Sequence, residues 1–358
     1  MPASPVVGPY IDHQSHHREP HGYLWPYPDK LYVVTCMFDP LRWLSRYKHY
    51  EVFAKRVADA NAVLYTIECA YGGREFEITD RNNPQHIQVR TTSELWLKER
   101  LLNIAISRLP ADWNYVAWID ADVFIHKPYW AQETLNLLAH WDVIQMFSHA
   151  MDLGPNDEPI DSSMIPSFMW THEQNRKLLH EPPDKKDENP LAYPYPYFQG
   201  VKKGPAWWYA HPGFAWAARR SAIDHLGGLI DWSILGSGDW LMANALVGTV
   251  NRALSVGYSE RFKFLCRQWQ DRAEKHIIHN PHGGVGCMPG LITHSWHGKK
   301  SNRMYDQRWK ALVATGYDPD LDIKADSQGV WQLTDRSTAL RDGIRDYSRA
   351  RNEDSIEV

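Results

Sequence analysis

Tyr115-Val-Ala-Trp-Ile-Asp-Ala-Asp122 is an apolar run that ends in two carboxylates one residue apart. A run of this kind, bounded by polar residues, reads as a buried strand. Such a strand does not carry two acids unless something compensates them, because desolvating a carboxylate is costly. The usual compensation is a divalent cation with oxygen ligands, often shared with substrate phosphates. If the chain leaves its extended conformation at Ala121, the side chains of Asp120 and Asp122 can reach one ion. Asp-x-Asp is short and occurs by chance in many loops. Here Val123-Phe-Ile125 follows, so the acids interrupt an apolar stretch and do not merely decorate a polar one.

Upstream, Leu31 to Cys36 and Ala62 to Ile67 read as strands, and the apolar spacing from Arg42 to Ala60 between them is helical. Residues 93–109 form an amphipathic helix, with Ser93 as its expected N-cap and Pro110 just past its end. Alternating strands and helices predict a mostly parallel sheet flanked by helices on both faces, a Rossmann-related α/β arrangement. Ligands bind beyond the carboxyl ends of such strands. Cys36, Glu68 and Asp120 are expected at those ends.

Downstream, residues 151–209 lack periodicity and hold repeated prolines, then Tyr193-Pro-Tyr-Pro-Tyr-Phe198. They read as a long aromatic, proline-rich insertion suited to holding an acceptor. Residues 1–29 read as an irregular arm, 30–300 as the catalytic domain, and 301–358 as a C-terminal extension with a helix over Ser337 to Asn352. No run approaches the ~20 apolar residues of a membrane span, and Met1 to Lys30 does not read as a secretory signal. Cys36, Cys69, Cys266 and Cys287 are scattered and read as free thiols, so a cytoplasmic location is expected. The net charge of -4 gives no global pull toward nucleic acid. The 17 tryptophans and 18 tyrosines serve equally as core or as stacking platforms for sugars or bases.

Two more constellations follow. Gly236-Ser-Gly-Asp239 puts flexible backbone immediately before an acid, after the glycine-led segment His211 to Ile223, which reads as a strand running into a helix. Asp239 is either an acid/base group or the N-cap of a helix over Trp240 to Val247. His294-Ser-Trp-His297 follows the apolar Gly290-Leu-Ile-Thr293 and precedes Lys299 and Lys300. Zinc is the rival reading for two histidines three apart, although no cysteine or third histidine lies at suitable spacing.

Taken in this order, over roughly residues 31–300, the motifs resemble those of GT-A-fold glycosyltransferases, whose strand-end Asp-x-Asp holds manganese or magnesium against a nucleotide diphosphate. Asn103-Ile-Ala-Ile is similar to the Asn-x-Gly-Ile that often precedes the metal strand, with Ala105 in place of glycine. The resemblance implies a GT-A-like fold and a nucleotide-sugar donor, UDP-sugar first. It implies Mn2+ or Mg2+ held by Asp120 and Asp122 with His294 or His297. It also implies donor contacts from Glu68, Lys98, Arg100, Asn103, Asp120 and Lys299, and Asp239 as the general base. The C-terminal stretches Gly316 to Asp320 and Gly329 to Leu333 also look like the tails of phage-encoded glycosyltransferases, some relatives of which modify hydroxymethylated pyrimidines in DNA. A DNA acceptor would need a local basic face, for which Arg219, Arg220, Lys202, Lys203, Lys299 and Lys300 are the candidates. A glycan or protein acceptor is the alternative.

Rival classes make different demands. A glycoside hydrolase needs two acids ~5–9.5 Å apart flanking the sugar and no metal. A metal-dependent nucleotidyltransferase or phosphohydrolase releases pyrophosphate or phosphate. A non-catalytic carbohydrate- or nucleic-acid-binding protein explains the aromatics but not the strand-end acids.

Overall fold

The computed structural model describes residues 29–160, 164–178, 210–305 and 307–357. Most of the N-terminal arm, the aromatic segment from Tyr193 to Tyr209, and Lys202 and Lys203 lie outside the described residues.

In chain order the elements are β1 (Leu31–Phe38), α1 (Leu44–Asp59), β2 (Val63–Tyr71), β3 (His86–Thr91), α2 (Lys98–Ser107), β4 (Tyr115–Ile119), β5 (Val123–Ile125) and α3 (Trp130–Leu138). Next come β6 (Val143–Gln145), β7 (His149–Asp152), β8 (Ile165–Pro166), α4 (Phe168–Leu178), β9 (Ala215–Arg219), α5 (Arg220–Leu226), α6 (Gly238–Ala245), α7 (Val250–Ala253) and α8 (Glu260–Ala273). The chain ends with β10 (Val285–Cys287), β11 (Leu291–His294), α9 (Lys310–Ala314), α10 (Pro319–Asp322), β12 (Ile323–Ala325), β13 (Trp331–Leu333) and α11 (Thr338–Ala350).

The main sheet runs β10-β6-β9-β4-β1-β2-β3. Its strands are parallel except β9, which runs against both β4 and β6. The pleat explains why the strands read as continuous apolar runs. Tyr32, Val34, Val116 and Trp118 enter a core shared with α2, α6 and α8. The alternate residues Leu31, Val33, Ala117 and Ile119 enter a second core, with Phe53 and Val57 of α1 and Ala131 and Leu138 of α3. Helices thus cover both faces, and the architecture is the mostly parallel α/β sheet expected. No helix among the described residues is long and apolar enough to cross a membrane.

Several boundaries depart from expectation for local reasons. The helix expected from Ser93 begins at Lys98, and the N-cap position falls to Leu97, with no side-chain cap. The Ser93 hydroxyl is engaged elsewhere, accepting from the Leu333 amide at 3.0 Å. Strands β1 and β2 run past Cys36 and Glu68, which therefore lie within strands and not at their ends. Val123 to Ile125 and Leu291 to His294 leave the main sheet for a smaller one, ordered β5-β11-β7-β8. The expected insertion opens inside β7, and its described part contains β8 and α4. Helix α6 starts at Gly238, so Asp239 sits in its first turn and is not its N-cap. The last sixth of the chain buries Leu312, Tyr317, Ile323, Val330, Leu340, Ile344 and Tyr347 in the core that α2 packs into. Helix α11 opens at Ser337, whose side chain accepts from the Leu340 amide, close to the expected start.

Candidate metal centre

The smaller sheet builds the site. Strand β11 lies between β5 and β7, so His294 stands in register with Val123 on one side and Asp152 on the other. Asp122, immediately before β5, faces the same point. The chain turns at 120–122: the Val123 amide donates to the Asp120 carbonyl, and the Ser295 amide to that of Asp122. That turn carries the chain out of the main sheet and separates the two carboxylates.

Asp122 Oδ2 is 3.1 Å from His297 Nε2 and 3.6 Å from His294 Nε2, and the two Nε2 atoms are 3.0 Å apart. These three donors lie within 4.8 Å of one another, a spacing that can hold a metal ion. Both histidines are buried. Asp122 Oδ1 is buried with no hydrogen-bond partner. An orphaned buried carboxylate oxygen costs about 1–3 kcal/mol or more, so Asp122 has unused ligating capacity beside the Oδ2 that faces the two imidazoles. The residues therefore fit a divalent metal. Behind the donors, His294 Nδ1 meets Asp152 Oδ1 at 2.8 Å, and Asp152 also pairs with Lys300.

Electrostatics follow from this crowding. Burial works against ionised Asp122, yet the two imidazoles hold its pKa well below the ordinary carboxylate range. Burial likewise works against the His294 imidazolium, but Asp122 and Asp152 more than offset it and raise its pKa. Burial, with help from Arg303, pushes His297 down to about 3, and a metal ion would bind both rings in their neutral form, releasing the His294 proton.

Asp120 has a different partner. Its carboxylate is ion-paired with Lys98 Nζ at 2.6 Å, and it is not part of the three-donor cluster. Burial raises its pKa and Asp122 adds to the rise, while Lys98 opposes it.

Asp239 lies beside this pair. It contributes to the charge that stabilises protonated Lys98 and raises the pKa of Glu99. One Asp239 oxygen accepts from the Trp240 amide at 2.8 Å. The other sits directly over Gly213, where any Cβ would collide with it. This close approach is the reason a glycine leads the segment into β9. Phe214 holds a positive φ of 75°, a strained conformation for a bulky residue. Its ring stacks on His211 at 3.5 Å and leans on His294 at 4.6 Å.

The remaining expected donor contacts have other partners. Glu68 is buried and accepts from the Glu77, Ile78 and Thr79 amides and the Thr79 hydroxyl, so it fastens the loop after β2. Arg100 binds Asp231 at 3.0 Å and the Gly329 carbonyl, and covers the Trp331 ring. Asn103 binds Asp231 and both the amide and the carbonyl of Leu229. Lys299 is exposed. Arg219 and Arg220 do not join a basic face at the site. Arg219 is in register with Tyr115, at the start of β4, whereas the acids follow Ile119 at its end. Four residues of strand separate them by about 13 Å.

Sequence reasoning missed Asp152, Glu99, His211 and Glu353. Glu99 is buried between Lys98 and Asp239, and burial raises its pKa to about 8. Its neighbours on α2 gave a usable signal, since an acid on the buried face of an amphipathic helix breaks the apolar pattern.

No family model matches the chain, and no curated protein matches it. Among solved structures it is similar to a variant of the Drosophila β-1,4-galactosyltransferase 7 in complex with manganese, UDP-Gal and xylobiose. The identity is 11%, the TM-score is 0.36, and the match covers 88% of this chain and 99% of that one.

Proposed function

We propose that the chain is a divalent-cation-dependent glycosyltransferase that moves a sugar from a nucleoside-diphosphate sugar, UDP-sugar first, to an acceptor hydroxyl. One observation carries this reading: Asp122, His294 and His297 converge, with an orphaned carboxylate oxygen, on the smaller sheet where the chain leaves the carboxyl end of β4 in the mostly parallel main sheet. Ligands bind at that end in such folds. The resemblance to GT-A glycosyltransferases supports it, because Asp-x-Asp, Gly-x-Gly-Asp and the strand-end histidine occur in the same chain order.

Asp122, His294 and His297 hold the divalent cation, Mn2+ or Mg2+ by the resemblance to GT-A glycosyltransferases. When bound, the cation neutralises charge on the diphosphate leaving group. Lys98, held by Asp120, fixes a positive charge beside the donor site. Asp239 accepts the proton of the acceptor hydroxyl. The Phe214 ring, wedged between His211 and His294, keeps water from one wall of the site.

The acceptor is best read as a glycan or protein hydroxyl. Among the described candidates for a DNA-binding face, Arg219 and Arg220 lie at the opposite edge of the sheet, and Lys300 is paired with Asp152. A screen of sugar nucleotides with Mn2+, against glycan, peptide and hydroxymethylated-DNA acceptors, tests both parts. Transfer to DNA alone would overturn the acceptor reading and leave the glycosyltransferase reading standing.

A further inference from the structure

The C-terminal tail reaches the candidate metal site. Glu353 is 1% exposed and accepts from Arg46 Nε at 2.5 Å, Arg46 Nη2 at 2.7 Å and Arg351 Nε at 2.5 Å. Its Oε2 also faces His297 Nδ1 at 3.8 Å. Asp354, next in the chain, accepts from the Leu44 and Ser45 amides at 2.9 Å each, capping α1 from the far end of the chain. The Ser355 carbonyl accepts from Trp296 Nε1 at 2.5 Å. His49 of α1 meets the Trp296 carbonyl at 2.8 Å. Gly298 has φ +84°, and a Cβ on it would lie 2.7 Å from the Asn352 carbonyl oxygen and 2.9 Å from Glu353 Cα. The His297–Gly298 turn is therefore seated on the tail backbone.

The two histidines have related surroundings at different distances: the carboxylate behind His294 is hydrogen-bonded at 2.8 Å, and the one behind His297 stands at 3.8 Å, beyond hydrogen-bond reach. Each points Nε2 at Asp122, and each has a carboxylate behind Nδ1. Asp152, from the neighbouring strand, stands behind His294. Glu353, from the tail, stands behind His297. For Nε2 of His297 to offer its lone pair to a cation, the ring proton must sit on Nδ1, the atom facing Glu353. A carboxylate hydrogen-bonded in that place fixes the tautomer and the ring orientation, and its loss typically costs roughly 10–100-fold in metal affinity. At 3.8 Å Glu353 acts through its charge, which favours the proton on Nδ1, and through the seat its backbone makes for Gly298.

We infer that the C-terminal tail is a working part of the metal site: Glu353 positions His297 as the second imidazole ligand, and residues 351–355 hold it there. This rests on the metal reading proposed above. It makes cation affinity depend on a segment more than fifty residues away in sequence from both histidines.

The test is a double-mutant cycle on the full chain, with Mn2+ binding followed by electron paramagnetic resonance and no substrate present. Glu353→Gln is expected to weaken Mn2+ binding roughly 10-fold, the low end for a partner behind a ligating histidine. In a His297→Ala background the same change is expected to have no further effect, because the residue it acts through is gone. Equal losses in both backgrounds would make Glu353 merely structural and overturn the inference, as would unchanged binding by Glu353→Gln. If Glu353→Gln does not fold, Asp354→Ala, which releases the tail from α1 at an exposed position, takes its place in the cycle. A loss in wild type that vanishes with His297→Ala supports the inference, and no loss overturns it. Absence of Mn2+ binding by the wild-type chain overturns the metal reading itself.

Discussion

Lys98 Nζ and Asp120 are ion-paired at 2.6 Å, and this gives the two acids of Asp-x-Asp different partners. The first is neutralised by a lysine from α2, and the second faces two imidazoles. A carboxylate already paired with an ammonium gains less from a nearby cation than one with an unpartnered oxygen. The acids are accordingly not equivalent.

Asp122→Asn is therefore expected to weaken Mn2+ binding by roughly 100-fold or more, beyond what an outer partner costs. Asp120→Asn is expected to keep most of the cation affinity while lowering turnover. Isothermal titration with Mn2+ separates the two. Equal losses would mean that both acids ligate.

The role proposed for Asp239 as the base predicts an effect on rate more than on binding. Asp239→Asn is expected to lower turnover by roughly 10²–10⁴-fold with little change in donor affinity. Steady-state kinetics at saturating donor decide it. A variant altered only in thermal stability would assign Asp239 to helix α6 alone.

The glycine beneath Asp239 offers a second route to the same question. Gly213 does not need a left-handed backbone, so alanine is tolerated except where its Cβ meets the Asp239 carboxylate. Gly213→Ala is expected to displace that carboxylate and lower turnover on the order of 10²-fold, with the fold retained by circular dichroism. Wild-type turnover would show that the position of Asp239 is not needed.

Glu99 sets a pH dependence of stability. Its pKa rises from the ordinary glutamate value of 4.5 to about 8 in the fold, chiefly through burial. Between those values the folded chain keeps a proton that the unfolded chain has lost, so stability falls as pH rises through this window and levels off above it. Glu99→Gln removes this contribution. Urea midpoints at pH 5 and pH 8 are expected to show the variant gaining on wild type at the higher pH. A constant difference would mean that Glu99 is not protonated in the fold.

How much of this was legible in the sequence depends on how local each signal is. Strand β4 was readable because alternate residues feed two buried cores, leaving no polar position until Asp120. His294 was readable because an apolar run ends on it. Strand β3, His-Ile-Gln-Val-Arg-Thr, was not, because it is a half-polar strand at the edge of the sheet. Ser93 misled because its hydroxyl binds the amide of Leu333, 240 residues away. The carboxylates behind the histidines were invisible for the same reason. Asp152 reaches His294 only through the register of β7 with β11, and Glu353 reaches His297 only when the tail is seated against α1.

The measurement that bears most directly on the central claim is nucleoside diphosphate release from a panel of sugar nucleotides, with Mn2+ and with excess chelator. The cluster of Asp122, His294 and His297 predicts release from at least one donor in Mn2+, lost on chelation and lost in Asp122→Asn. Release undiminished by chelator, or release of pyrophosphate or phosphate in place of nucleoside diphosphate, would contradict it.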